Sequence, residues 1–150
     1  MIMAQHFSGR LLSFLVGLMW ILSSCAPRIE LQQAQARPVY QGTAREADDK
    51  RYYIQLEKKR GQPIRIGQVW IGNAQEGRAA RYALQKGDRV ITHDSLLTDM
   101  KAFTIQARPD PYVEKSCVDP DFEGSALVEI KDLKGRTRLI KISEFQDWDP

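Results

Sequence analysis

Histidine and cysteine are scarce in this 150-residue chain, with two of each: His6, His93, Cys25 and Cys117. A zinc site gathers three or four His, Cys or carboxylate ligands in close array, and His93 and Cys117 stand far apart. General-base catalysis most often uses histidine. His93 is followed by Asp94 and Ser95, but neighbours in sequence project in different directions, so the three do not make a Ser-His-Asp triad. Neither the P-loop nor the dinucleotide pattern of glycines occurs. Charge of one sign is lacking too. A net charge of +3 from 22 basic and 19 acidic residues gives no electrostatic ground for a nucleic-acid partner. The expectation is a non-enzymatic chain with no cofactor.

Long apolar runs are also lacking, with one exception near the start. Arg10 precedes a nearly unbroken apolar stretch, Leu11–Leu22, which ends in Ser23, Ser24 and Cys25. A basic residue, a short apolar core and small residues are the layout of an export signal. The stretch is about 12 residues, short of the roughly 20 that span a bilayer, and Ala26-Pro27 breaks it. Setting aside the first 24 residues removes only Arg10 from the charge balance, leaving a mixed surface of both signs.

Leu22-Ser23-Ser24-Cys25 resembles the bacterial lipobox. The resemblance implies cleavage between Ser24 and Cys25, a lipid on the Cys25 sulfur, and attachment to a membrane of the cell envelope. With two or more acyl chains, each buried methylene contributing about 0.8 kcal/mol, such attachment is stable. Ala26, rather than an aspartate, follows the cysteine, which within that resemblance leans towards the outer membrane, on either its periplasmic or its surface face. Once Cys25 carries lipid, Cys117 has no partner for an internal disulfide, and a partly buried, small apolar role is expected for it.

Residues 25–50 hold several glutamines, two prolines and charges without a hydrophobic period, and are expected to form a flexible tether. From Tyr52 the pattern turns to period two. Tyr52, Ile54 and Leu56 share one side, and Tyr53, Gln55 and Glu57 the other, as in a half-buried strand. Lys58–Gly61 reads as a turn. Ile64 and Ile66 then change parity with Val69 and Ile71, which predicts a β-bulge near Gly67 and places Trp70 on the far side. Further strands are expected at 89–92, 102–108 and 126–131, and from Thr137 towards Phe145. Turns are expected at Lys86-Gly87-Asp88 and Asp132–Arg136. Arg78–Leu84 is ambiguous between strand and helical turn. Six to eight short strands without a long helix predict an all-β fold, an antiparallel β-sandwich of immunoglobulin-like kind over 51–150. A signal-peptide helix over 1–24 and the tether would precede it, and a small barrel is the alternative.

Arg51-Tyr52-Tyr53-Ile54-Gln55-Leu56, Val69-Trp70-Ile71-Gly72 and Lys86-Gly87-Asp88 together resemble a pattern in small uncharacterised lipoproteins of Bacteroidota-type bacteria. The resemblance implies a β-sandwich and no particular activity.

The long Pro109–Glu123 segment is the expected recognition loop, because long loops on a rigid scaffold commonly carry binding residues. Its candidates are Tyr112, Asp119, Asp121, Phe122 and Glu123. Asp119, Asp121 and Glu123 alternate and precede Gly124, so calcium is a further expectation for them, and a carboxylate hydrolase an outside one. Arg78, Arg81, Lys86 and Arg89 form a looser basic set suited to an acidic glycan or lipid if the fold gathers them. The leading expectation is a lipid-anchored module binding another envelope protein. The alternative is a glycan or small-ligand binder using exposed aromatics.

Overall fold

A computed structural model describes residues 28–39, 50–60, 63–91 and 101–148. The export signal, Cys25 and His93 lie outside the described residues.

The described chain is all-β. Nine strands run in the order β1 (Arg28–Pro38), β2 (Lys50–Arg60), β3 (Ile64–Ile71), β4 (Arg78–Lys86), β5 (Arg89–Ile91), β6 (Ala102–Pro109), β7 (Ala126–Asp132), β8 (Thr137–Ile142) and β9 (Gln146–Asp147). They join in one sheet ordered β8-β7-β3-β4-β6-β2-β1-β9, with β5 on β4. Every pairing is antiparallel except β1 with β9, so the sheet is mixed.

The sheet curls strongly where β3 meets β4. Those strands share only Trp70↔Ala79 and Ile71↔Arg78. Beyond that point β3 leaves β4 and continues against β7. The Tyr82 hydroxyl donates to the carbonyls of Ile66 (2.9 Å) and Gly67 (3.0 Å), satisfying backbone acceptors that a continuous ladder would have used. Two halves result. The larger holds β1, β2, β4, β5, β6 and β9; the smaller holds β3, β7 and β8.

Their inner faces share the main core. Ile54, Leu56, Leu84, Phe103, Ile105 and Ala107 come from the larger half, and Ile64, Val69, Ala126, Val128, Ile130 and Ile142 from the smaller. The period-two pattern of the sequence puts these residues on one side of each strand, so burial of alternate residues accounts for the strand faces. The inward set expected for β6 and the alternation expected for β2 and β7 are as observed.

The bulge falls where the parity change places it. Ile66 pairs with Ile130 and Val69 with Val128, so Gly67 and Gln68 together oppose Glu129. The Glu129 carboxylate accepts the Gln68 amide N–H at 2.9 Å. Any Cβ at Gly67 would collide with that carboxylate. Trp70 consequently faces outward from the main core, yet is only 4 % exposed.

Three expectations are corrected. The tether is not featureless, because Arg28–Pro38 forms β1, paired over its whole length with β2. Its glutamines and charges face solvent while Ile29, Ala34 and Ala36 are buried; a strand at the side of a sheet needs few apolar residues, so the period was hard to see. Lys58–Gly61 is not a turn from its start, since β2 continues to Arg60. The ambiguous Arg78–Leu84 is strand β4, with Leu84 fully buried.

Candidate functional site

Pro109–Glu123 is irregular, as expected, but it is not a free loop. It lies on the outer face of the smaller half. Trp70, Leu127, Ala79 and Phe122 form a second core there, joined by Val113, Cys117, Ala74 and Leu139. Phe122, expected at the surface, is 5 % exposed. It packs under the loop because the bulge turns Trp70 to this side. Cys117 is a free, half-buried thiol in the same cluster.

Polar groups fasten the loop at several points. Gln68, re-aimed by the bulge, donates to the Ser116 carbonyl at 3.1 Å and accepts the Val118 N–H at 3.2 Å. The Trp70 indole N–H donates to the Asn73 carbonyl at 2.8 Å, and the Ala74 N–H to the Phe122 carbonyl at 2.8 Å. Asp110, buried at the loop's start, pairs with Arg81.

The acidic candidates are spread rather than convergent. Asp119 takes the Lys141 ammonium at 2.7 Å and the Asp121 N–H at 3.2 Å. The hydrogen bond from Lys141, then that from the Asp121 backbone, holds the Asp119 carboxyl below its usual range. Asp121 and Glu123 are exposed. Among the described residues, no three His, Cys, Asp or Glu side chains gather as a metal would require, so the calcium expectation is set aside. An open recess of about 390 Å³ between Asn73–Gln75 and Pro120–Glu123 holds no pair of buried carboxylates. Of the five loop candidates, Tyr112 alone is an almost wholly exposed side chain, at 88 %.

The outer face of the larger half is different, and nothing in the described chain covers it. Its residues are the odd-numbered positions of β2 and their neighbours, which register aligns in rows running across the strands. Gln33, Gln55, Thr104 and Gln85 are successive cross-strand partners. In the next row, Gln35, Tyr53, Gln106 and Ala83 are partners. Amides link the rows, Gln85 donating to Gln106 at 3.2 Å and Gln106 to the Tyr53 hydroxyl at 3.4 Å.

The third row is four arginines. Arg37 is opposite Arg51, and Arg81 is opposite Arg108. Tyr52 pairs with Ala107, so one step further along that register brings Arg51 opposite Arg108. At about 4.8 Å between strands the row spans about 14 Å. Arg37 is held between two rings, its guanidinium 4.4 Å from the Tyr53 centroid and 5.3 Å from that of Trp148, and it donates to the Gln35 amide oxygen at 3.0 Å. Trp148 reaches it because the C-terminal segment folds back over β1, the Trp148 N–H bonding to the Ala36 carbonyl at 3.3 Å. Asp110, beside Arg81, is the carboxylate ion-paired within the row.

No protein-family model matches the chain, and no curated protein matches it.

Arg81 belonged to the basic set noted in the sequence, but its companions there did not follow. Lys86 and Arg89 are opposite one another at the far end of β4, and Arg78 pairs towards β3. The residues that do align with Arg81 lie 27 to 44 positions away from it in sequence. A weak signal existed in the strand pattern, since Arg51 and Arg108 sit on the outward parity of strands whose inward parity was clear.

Proposed function

We propose that this protein is a lipid-anchored envelope module that acts by binding and not by catalysis, and that its binding surface is the outer face of the larger half of the sheet. The observation that carries this reading is the cross-strand row of Arg37, Arg51, Arg108 and Arg81. Like charges placed directly opposite one another destabilise a sheet, and the fold gains nothing in exchange on an open face. An arrangement that costs stability and has no packing role is explained by a partner with acidic groups.

Lipid on Cys25 and residence in the outer membrane follow from the resemblance of Leu22-Ser23-Ser24-Cys25 to a lipobox. With β1 starting at Arg28, only Ala26 and Pro27 would separate lipid from domain. Two residues reach about 7 Å at full extension, so the domain would stand against the headgroups instead of swinging on a long tether. The core shared between the inner faces of the two halves supports reading the curled sheet as a β-sandwich of immunoglobulin-like kind.

Crosslinking in intact cells followed by affinity capture tests this function. The native chain is compared with Cys25→Ser and with Arg51→Gln/Arg108→Gln. A partner captured by the native chain and lost with the arginine pair is the expected result. Capture that persists with the arginine pair removes this face from the reading. A Cys25→Ser chain found free of membrane is expected from lipidation; one still attached through its lipid-sized mass increment elsewhere would refute Cys25 as the anchor.

A further inference from the structure

We infer that the arginine row and the two polar rows beside it are a binding site for a linear acidic polysaccharide, its chain laid across the strands with its carboxylate or sulfate groups over Arg37, Arg51, Arg108 and Arg81. This rests on the reading of that face as the binding surface and adds the chemical class of the ligand.

Four features point to this ligand. The first is spacing. The row offers a cation at each strand, about 4.8 Å apart, in a line that crosses the strands. A peptide added to a sheet runs parallel to an edge strand and uses its backbone groups; nothing on this face offers those. A polymer lying flat with charges at regular intervals uses all four positions.

The second is the donor type. Each guanidinium presents a planar fork that engages carboxylate or sulfate oxygens bidentately, where a lysine acts as a point charge. All four positions in the row are arginine.

The third is the neighbouring chemistry. Gln35, Gln55, Gln85 and Gln106, with the Tyr53 hydroxyl, border the row. An amide both donates and accepts, which matches sugar hydroxyls that do the same. An acidic protein surface would supply few hydroxyls to this amide lattice, and a phospholipid headgroup layer would not present a single line of charge.

The fourth is preorganisation. Tyr53 and Trp148 clasp Arg37 on its two faces, and its Nε is buried without a hydrogen-bond partner. Arg81 is steadied by Asp110. Side chains held in place lose less conformational freedom on binding than free ones. The aromatics here support a cation; they do not form a bare stacking platform of the kind the glycan alternative required in its simplest form.

The test uses the detergent-solubilised full chain in affinity electrophoresis through gels holding polygalacturonate, dextran sulfate or neutral dextran, with anionic phospholipid vesicles tested separately by co-sedimentation. Retardation by an acidic polymer, absent with neutral dextran and weakened by added salt, is expected. Polygalacturonate against dextran sulfate tells carboxylate from sulfate preference, and either one supports the site. Each of Arg51→Gln and Arg108→Gln is expected to weaken binding about tenfold, with Arg51→Lys/Arg108→Lys in between. The inference is overturned if neither acidic polymer is retarded, if the glutamine variants bind as the native chain does, or if only vesicles are bound. Heat denaturation of each variant guards against loss by misfolding. If a protein partner is captured through this face in cells while no polysaccharide binds, the proposed function stands and this inference alone falls.

Discussion

The two outer faces of this curled sheet are built to opposite rules. On the smaller half, a bulge at Gly67 and Gln68 brings Trp70 outward, and the chain covers it with the Pro109–Glu123 segment to make a second core. On the larger half, the outward residues are glutamines, Tyr53 and a row of arginines, and the described chain leaves them to solvent. One face is a stability element that resembles a binding loop in sequence. The other is a surface whose charges oppose one another. Irregular backbone, then, is a poor guide to where recognition sits in this molecule, and regular strand a better one.

That contrast is most directly broken at Phe122. Phe122→Ala should lower the unfolding free energy by about 3–5 kcal/mol, the range for emptying a buried aromatic site, as read by urea denaturation. A loss below 1 kcal/mol would mean that the loop does not cover a core. Gln68→Ala is expected to cost about 1–2 kcal/mol, since it removes two hydrogen bonds that hold the loop. Faster hydrogen exchange at the Val118 amide should accompany it. On the open face, Arg51→Gln/Arg108→Gln should change stability by no more than about 0.5 kcal/mol, and in the stabilising direction, because like charges are removed. A large destabilisation there would erase the distinction between the faces.

The smallest effect is one of pH. The Lys141 ammonium and the Asp121 N–H hold the Asp119 carboxyl below its ordinary value. A group depressed in the folded state contributes stability that is present above its unfolded value, about 3.9 for aspartate, and is lost as pH falls through the lower folded value. Acidification below that region should loosen the covered face before the open one, seen as a shift of the Trp70 indole N–H resonance, which reports its bond to Asn73. Lys141→Met should move that transition to higher pH. An unchanged transition would show that the ion pair does not tie the loop to β8.

Much of the strand pattern was readable from residues alone, for a simple reason. Where one face of a strand meets a core, apolar residues must alternate. Ile54 and Leu56, Phe103 and Ile105, and Val128 and Ile130 all do so. The parity change between Ile66 and Val69 located the bulge by the same logic, and with it the side on which Trp70 lies. β1 was missed because its buried positions include only Ile29, Ala34 and Ala36, too little apolar contrast against glutamines and charges to show a period. The loop was located but its role was misjudged, since Phe122 buried under a loop and Phe122 offered to a partner look identical in sequence.

Composition, alternation and turn residues thus determined the all-β class, most strand faces, the bulge and the scarcity of catalytic residue types, because each of these depends on groups close together along the chain. Tertiary structure alone decided which outer face is covered and which residues stand in rows. Arg37, Arg51, Arg81 and Arg108 come from four strands, and their alignment depends on the register of three separate pairings. Register is fixed by packing the whole core at once, so no local stretch of sequence carries it.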